Sequence, residues 1–275
     1  MERFICVTCG TQFAERDEHP PSCPICTDQR QYVGLGGQRW TTLAELQADH
    51  TNAIRDEHEL VGIGTEPSFA IGQRALLVPF GDSNLLWDCI TLLDDATAEE
   101  VERRGGLRAI AISHPHYYSC MVEWAHRFDC PIHLHAADAE WVMRPDPAIE
   151  HWEGETLDLG DGLRLLRGGG HFPGGTILHR ADGAGALLTG DIIQVIPDRA
   201  HVGFMWSYPN LVPLPEAEVQ RMVAAVEPFA YEAIYGAWWG THVPSDGPEI
   251  VRRSVERYGR ALRGELLGEG AAPAA

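Results

Sequence analysis

Four of the seven cysteines form two closely spaced pairs near the start of the chain, Cys6-x-x-Cys9 and Cys23-x-x-Cys26. A CxxC turn directs two thiolates towards one point, and two such turns supply the four ligands of a tetrahedral metal site. The other three cysteines stand alone, which favours a metal site in a reducing compartment over a disulfide framework. We expect a structural Zn²⁺ ion here. Fe in the same four sulfurs, as an electron-transfer site, stays open because the spacing suits both metals.

A second set of candidate ligands occurs where predicted strands end. His114 and His116 in AIAISHPHYYS directly follow an apolar run, so both imidazoles can turn to one side of the loop. His171 lies in the glycine-rich turn GGGHFPGG, Asp191 ends LLTGD, and His242 ends YGAWWGTH. Strand ends and loops are where sites are usually built, because a rigid scaffold positions them. These residues predict a second metal centre with histidine and carboxylate ligands.

The order of these motifs resembles that of the metallo-β-lactamase superfamily over residues 68 to 243: an HxH after a strand, a GH-x-PG turn, a strand ending TGD and a terminal GTH. The resemblance implies a four-layer αββα sandwich of the α/β (α+β) class, with the metal site at one edge between the sheets. It also implies that His114, His116 and His171 bind a first metal, that Asp191 is the bridging carboxylate, and that His242 belongs to a second metal. The pieces CVTCGTQF and CPIC resemble rubredoxin and zinc-ribbon knuckles.

One motif departs from the pattern of that superfamily. Its first motif reads HxHxDH, whereas this chain reads HPHYYS, with Tyr118 and Ser119 in place of the Asp and the last His. A phenol has a pKa near 10 and is seldom a Zn²⁺ ligand at neutral pH. Asp191 and His242 alone make a poor site for a second dication. We therefore expect one metal in this pocket, Zn²⁺ with Fe as the alternative.

Three histidines around Zn²⁺ leave an open position for water, whose pKa falls to about 7. Asp191 can complete the coordination, or orient and deprotonate that water. His242 is then a candidate proton shuttle, and Tyr118 a candidate hydrogen-bond donor to a developing oxyanion. Asp191, His242 and Tyr118 are thus the predicted catalytic residues.

Aromatic and cationic residues near these motifs are candidates for substrate binding. An apolar wall beside the metal suits an organic substrate with a hydrophobic group, and an arginine suits a carboxylate. The alternative is that the rings simply close the core or an interface. The predicted substrate-binding residues are Arg199, His201, Phe204, Trp206, Tyr208, Trp238 and Trp239.

These features favour a metal-dependent hydrolase that uses metal-activated water on a small ester, lactone, thioester or amide. A mononuclear Fe-dependent oxygenase or redox enzyme on the same fold is a second hypothesis, because His114, His171 and Asp191 form a two-histidine, one-carboxylate set. A third is a catalytically degenerate metal-binding protein, which the HPHYYS departure favours.

The elements that must position these residues follow from the sequence pattern. Residues 1–36 predict a rubredoxin-like or zinc-ribbon module, 37–67 a helical linker, 68–268 the sandwich domain, and 269–275 a flexible tail. In the linker, Thr42 and Glu45 match a capping box ahead of LAELQADH. The strand-like PIHLH carries a second HxH, His133 and His135, but no later motif partners it, so packing is the favoured role.

The composition limits the chemistry further. All 21 basic residues are arginines, and 40 acidic residues bring the net charge to −19. Without lysine there is no Schiff-base or Walker-type mechanism. The charge disfavours nucleic acid or an anionic membrane as a partner, so we expect a small-molecule substrate. The N-terminus does not read as a secretory signal, and we expect a cytoplasmic protein, with assembly into a homo-oligomer left open.

Overall fold

The N-terminal part of the chain folds around the four cysteines with little regular structure. In the computed structural model, which describes residues 1–267, this module contains β1 (Ile5–Cys6), the short helix α1 (Pro24–Thr27) and β2 (Trp40–Thr41). β1 and β2 pair antiparallel, and the rings of Phe13 and Trp40 meet edge-on beside the sulfurs, 5.0 Å apart. The predicted flexible tail, 269–275, lies outside the described residues.

The segment 37–67 differs from the predicted helical linker. Helix α2 (Leu43–Asp49) begins at the predicted capping box, in which the amide of Glu45 donates to the Thr42 hydroxyl and the Glu45 carboxylate accepts from the Thr42 amide. The chain then forms β3 (Thr51–Glu57) and β4 (Leu60–Glu66), which belong to the large sheet. Only the helix is therefore confirmed. β3 is an edge strand whose charged, exposed positions dilute the alternation that identifies strands.

The first sheet has seven strands in chain order, β3 to β9. The pairs from β3 to β6 are antiparallel, and those from β6 to β9 are parallel. The remaining strands of this sheet are β5 (Ala75–Phe80), β6 (Ser83–Trp87), β7 (Leu107–Ala111), β8 (Ile132–His135) and β9 (Ile149–Trp152).

The second sheet has six strands in the order β10-β11-β12-β13-β18-β19, antiparallel except between β13 and β18. Two small ribbons, β14–β15 and β16–β17, leave it after β13. The bounds are β10 (Thr156–Gly160), β11 (Leu163–Arg167), β12 (Thr176–Arg180), β13 (Ala186–Gly190), β14 (Gln194–Val195), β15 (Val202–Gly203), β16 (Met205–Ser207), β17 (Val212–Pro213), β18 (Ala233–Gly236) and β19 (His242–Val243).

Period-two alternation along the strands builds the layers. In β5, Leu76 packs between the two sheets, whereas Leu77 faces the outer side of the first sheet. In β13, Leu188 faces inward and Leu187 outward. Helices cover both outer faces, so the four-layer αββα sandwich is confirmed. They are α3 (Asp95–Arg103) and α4 (Met121–Phe128) on the first sheet, and α5 (Glu216–Val226) and α6 (Gly247–Leu262) on the second.

The loop after β7 carries His114 and His116, Asp191 directly follows β13, and the turn between β11 and β12 carries His171. Within residues 1–267, no helix combines the length and the apolar character that a membrane span needs.

Candidate metal centres

The four paired cysteines converge, as predicted. All four are buried, and their sulfurs lie within 4.8 Å of one another. The Sγ atoms of Cys6 and Cys26 are 3.5 Å apart, and those of Cys9 and Cys23 are 3.7 Å apart. Hydrogen bonds among the sulfurs lower the pKa of the Cys6 thiol and raise those of Cys9 and Cys26, so these groups titrate as one interacting set. Four sulfurs at these separations, shielded from water, fit a tetrahedral Zn²⁺ or Fe ion. We call this group the cysteine cluster.

His114, His116 and His171 also converge, with ligand atoms within 4.8 Å of one another. Asp191 joins them: its Oδ1 lies 3.3 Å from His114 Nε2 and 3.8 Å from His171 Nε2. All four residues are at most 5% exposed. We call the three histidines the histidine cluster.

Local backbone geometry brings these side chains together. After β7 the chain makes one 3₁₀ turn, Pro115–Tyr117, which begins directly after His114 and contains His116. The Thr176 amide donates to the Ser113 carbonyl at 2.7 Å, which ties the glycine-rich turn to this loop. That turn needs glycine at Gly175, where a Cβ would lie 1.9 Å from the Gly169 carbonyl oxygen. Gly190 sets the direction of Asp191 with a φ of +55°.

The electrostatics of the histidine cluster suit metal ligation. Burial lowers the pKa of His116 to about 3 and holds those of His114 and His171 well below their usual range, so all three rings are neutral. The Ser113 hydroxyl lies 2.9 Å from His114 Nδ1 and leaves Nε2 free to face the cluster. Burial raises the pKa of Asp191 to about 7, and the neighbouring Tyr117 hydroxyl opposes this rise.

The ligand atoms are also orphaned. Both ring nitrogens of His171, Nε2 of His114 and His116, and Oδ1 of Asp191 are buried without a hydrogen-bond partner. Such groups are costly unless something satisfies them. One metal ion can satisfy one ring nitrogen of each of the three histidines at once, so these residues fit a bound metal.

The residues at the positions where the superfamily binds a second metal make other contacts here. Ser119 accepts from Gln73 Nε2 at 3.1 Å and lies 3.3 Å from the Cys89 carbonyl, to which it donates. Tyr118 is 2% exposed and lies near Asp138, outside the lining of the cavity described below. His242 lies beside His58, with ring centres 5.4 Å apart, and is also absent from that lining. Among residues 1–267, the cysteine and histidine clusters are the two groups of three or more converging ligands.

Two predicted catalytic residues, Tyr118 and His242, thus lie in positions that differ from those expected. Tyr118 is turned into the core, because its neighbour Tyr117 takes the side of the turn that faces His114, with ring centres 4.4 Å apart. His242 pairs with β18 and lies beside His58 in the turn between β3 and β4. This turn falls within the segment that was predicted to be a helical linker.

A cavity of about 220 Å³ opens onto the histidine cluster. Its walls come from the metal ligands, from aromatic residues after β13 and β18, and from the cysteine module. The lining comprises His116, His171, Asp191, Trp206, Tyr208, Pro209, Trp238, Ala70, Ile71, Thr8, Arg30, Gln31 and Tyr32. Trp206, Tyr208 and Trp238 are therefore where the sequence predicted them to be.

Four other predicted substrate-binding residues lie elsewhere. Phe204 is fully buried against Tyr258 in the core under α6. Trp239 packs over the bare backbone of β4, where a Cβ on Gly64 would come within 2.8 Å of its ring. Arg199 and His201 belong to the turn before β15 and do not line the cavity, and the His201 ring lies 2.9 Å from Asp198. The loop has no periodicity from which these directions could be read.

Three residues near the centre were missed. Asp88 follows β6 and accepts from the Ser113 amide at 2.8 Å. Its signal was available, since the strand-like run NLLWD ends in a carboxylate as LLTGD does. Tyr117 had no signal that separated it from Tyr118. Arg30 lies next to the cysteine pairs in sequence, and nothing in its spacing points to a site 141 residues away.

Solved structures with this architecture include metallo-β-lactamases. The DIM-1 metallo-β-lactamase superposes with a TM-score of 0.57 at 10% identity, covering 76% of this chain and 98% of its own. FIM-1 from Pseudomonas aeruginosa, in a mono-zinc form, gives 0.56 at 15% identity, with 76% and 96% covered. A metallo-β-lactamase from Hirschia baltica gives 0.54 at 16%, with 75% and 97% covered. The chain is thus a metallo-β-lactamase-fold protein with an added N-terminal cysteine cluster.

A closer relative shares both parts. "Uncharacterized protein YmaE" of Bacillus subtilis (strain 168) is 48% identical over 273 residues, which covers 97% of this chain and 99% of the relative. The chain belongs to the family of YmaE. The match spans the cysteine module as well as the sandwich. No protein-family model matches the chain.

Proposed function

We propose that the protein is a metal-dependent hydrolase of a small ester, lactone, thioester or amide, with one metal in the histidine cluster. The observation that carries the proposal is the set of orphaned ligand atoms on His114, His116, His171 and Asp191, of which the last three residues line an open cavity. A structural site would be closed, whereas hydrolysis needs a ligand set that a substrate can reach.

His114, His116 and His171 would hold the metal, with Asp191 beside them. Zn²⁺ held in this way supplies Lewis acidity, which makes water a stronger acid and a carbonyl a better electrophile. The fold is compatible with single occupancy, since FIM-1 has been crystallised in a mono-zinc form. The replacement of two expected ligands by Tyr118 and Ser119 supports one metal here too.

The chain's own groups account for the proton. Water attacks the acyl carbon through oxygen, the bond from that carbon to the leaving oxygen, sulfur or nitrogen breaks, and one water proton must reach the leaving group. Asp191 Oδ1 lies at the cavity wall with no protein partner, so it can hold that proton between the two steps. Tyr208 donates to the Asp191 carbonyl at 2.8 Å and keeps the residue in place.

The cavity supports a small substrate. Its volume of about 220 Å³ is below the roughly 300–1,000 Å³ of pockets for drug-sized ligands. Trp206, Tyr208 and Trp238 supply apolar walls, and Arg30 takes the place predicted for Arg199 as the cation that could anchor a carboxylate.

The test combines metal content with turnover. Elemental analysis of purified protein should find two metal ions per chain, and ester, lactone, thioester and amide panels should show turnover that His171→Ala abolishes together with one metal. His133→Ala, which removes an imidazole of the second HxH motif, is the matched control and should keep both. Three zinc ions per chain would contradict the single-metal site. Stoichiometric Fe in the histidine cluster, or no turnover on any panel with full metal content, would contradict the hydrolase.

A further inference from the structure

The segment that follows the second cysteine pair, Gln29–Gln31, connects the cysteine cluster to the histidine cluster; we call it the linking segment. Its start is fixed by the knuckle itself. The Asp28 amide donates to the Pro24 carbonyl at 3.1 Å, and the Thr27 hydroxyl donates to the Cys23 carbonyl at 3.2 Å. The path of the chain into the linking segment therefore depends on the turn that presents Cys23 and Cys26.

Arg30 joins this segment to a metal ligand. Its Nε and Nη2 donate to the two oxygens of Asp28 at 2.6 and 3.1 Å, and its Nη1 donates to the backbone carbonyl of His171 at 2.8 Å. The guanidinium also lies over Phe172, 4.0 Å from the ring centre, and over Trp141 at 5.0 Å. A planar group held on its edge and on its face has little freedom to move.

The linking segment holds the aromatic wall as well. The Ser207 hydroxyl donates to the Arg30 carbonyl at 3.0 Å, and Asn210 Nδ2 donates to the carbonyls of Gln29 and Gln31, each at 3.0 Å. These contacts attach the β16–β17 ribbon, which carries Trp206. Two parts of the histidine site, the His171 turn and the aromatic wall, thus meet at one short segment of the cysteine module.

We propose that Arg30 is a positioning residue through which metal binding at the cysteine cluster strengthens metal binding at the histidine cluster. The cysteine-bound metal fixes the knuckle, the knuckle fixes Asp28 and Arg30, and Arg30 holds the His171 turn in its ligating position. Linkage requires the converse as well, so that a metal on the histidines strengthens the binding of the metal on the cysteines by the same factor. This inference stands on the two clusters and does not depend on hydrolysis.

The positive charge of Arg30 allows its positioning role to be distinguished from a simple electrostatic effect on the metal. Arg30 is cationic and close enough to act on His116 and His171, where it adds to the effect of burial in lowering their pKa values. A fixed cation repels a dication, so charge alone predicts that neutralising Arg30 tightens metal binding by the histidines. Positioning predicts the opposite, and the two accounts differ in sign.

The experiment is a Co²⁺ titration of protein whose cysteine cluster is loaded with Zn²⁺, followed by the visible d–d bands and by competition with a chelator. Arg30→Gln should weaken Co²⁺ binding at the histidine cluster by about 10- to 100-fold, the range for groups that orient metal ligands. Arg30→Lys, which keeps a donor for the His171 carbonyl, should recover part of the loss. Arg39→Gln, an exposed arginine of the same module, is the control and should change the affinity less than about twofold.

A second arm uses the wild-type chain and tests the coupling itself. Chelator competition should show tighter Zn²⁺ binding at the cysteine cluster when Co²⁺ occupies the histidines, and Arg30→Gln should remove this difference. Unchanged or tighter Co²⁺ binding in Arg30→Gln would overturn the positioning role. Equal Zn²⁺ affinity of the wild-type cysteine cluster with and without Co²⁺ would overturn the coupling.

Discussion

A buried ion pair behind the metal cavity offers the sharpest test of how the fold is held. Arg74, at the start of β5, is 1% exposed, and its Nε donates to Glu57 Oε2 at 3.0 Å. Its Nη1 donates to the Gly236 carbonyl at 2.9 Å, while the Glu57 carboxylate accepts from the Gly240 amide at 3.0 Å. The pair thus ties the β3–β4 hairpin to the turn that carries Trp238 into the cavity.

The size of the effect follows from burial. Glu57→Gln keeps the shape of the side chain but removes its charge, which leaves the buried Arg74 guanidinium without its hydrogen-bonded counter-ion, so that only the charge of Asp88 still acts on it. Removing one partner of such a pair costs about 3–5 kcal/mol, a large part of the roughly 5–15 kcal/mol by which folded domains are stable. Arg55 and Glu66 form an ion pair in the same hairpin whose side chains are 50% and 49% exposed. Glu66→Gln should cost less than about 1 kcal/mol.

The assay is guanidinium unfolding of each variant at one saturating Zn²⁺ concentration, followed by tryptophan fluorescence and extrapolated linearly to water. Glu57→Gln should lower the free energy of unfolding by several times the loss in Glu66→Gln. The double variant Glu57→Leu/Arg74→Met, which removes both charges, should recover most of the loss. Equal losses in Glu57→Gln and Glu66→Gln, or a double variant less stable than Glu57→Gln, would refute the reasoning.

Two further predictions concern the site. Gly190→Ala forces a left-handed φ on alanine and places a Cβ 2.7 Å from the Ser113 hydroxyl, so elemental analysis should show loss of the histidine-cluster metal with the cysteine-cluster metal retained. Gly183→Ala, also at positive φ but facing open space, should keep both metals. Burial raises the pKa of Asp138 from 3.8 to about 6, so the folded chain keeps a proton that the unfolded chain loses, and stability falls as pH rises through this window. Asp138→Asn retains the acceptor for the Gly174 amide and should remove a pH-dependent loss of about 3 kcal/mol between pH 4 and 7, measured as the difference in unfolding free energy between wild type and variant. A pH profile identical to that of the wild type would contradict this.

The metal ligands were predictable because each stands at a strand end inside a short pattern. His114 and His116 follow an apolar strand, and Asp191 follows another, so local sequence already places them at one edge of the sandwich. The cysteine pairs can likewise be recognised from a short sequence pattern. The αββα fold itself was inferred through the resemblance of these motifs, and the alternation of Leu76 and Leu77 then accounts for its layers.

Contacts between distant segments were not predictable in the same way. The β3–β4 hairpin lies in the segment predicted to be a linker, because its charged edge residues lack a clear period. The contacts of Glu57 and His58 were therefore not predicted. Trp238 and Trp239 are adjacent, yet one lines the cavity and the other covers β4. Which of two neighbours faces the site depends on a turn geometry that composition does not encode. Arg30 is the extreme case, since its partner is the backbone carbonyl of His171.

The buried charges bear on how many metal ions the histidine site holds. Glu57, Asp88 and Asp191 are each at most 6% exposed, and Arg74 is the buried guanidinium that acts on the first two. Burial raises the pKa of Asp191, and repulsion from the Asp88 carboxylate raises it further. Burial raises the pKa of Asp88 to about 7 as well, so a nearby cation is needed to hold both aspartates fully ionised at neutral pH. One dication on the histidines carries the charge that offsets this aspartate pair in a region of low dielectric constant. A single metal therefore matches the charge of the two aspartates, and the replacement of the expected Asp and His ligands by Tyr118 and Ser119 points the same way.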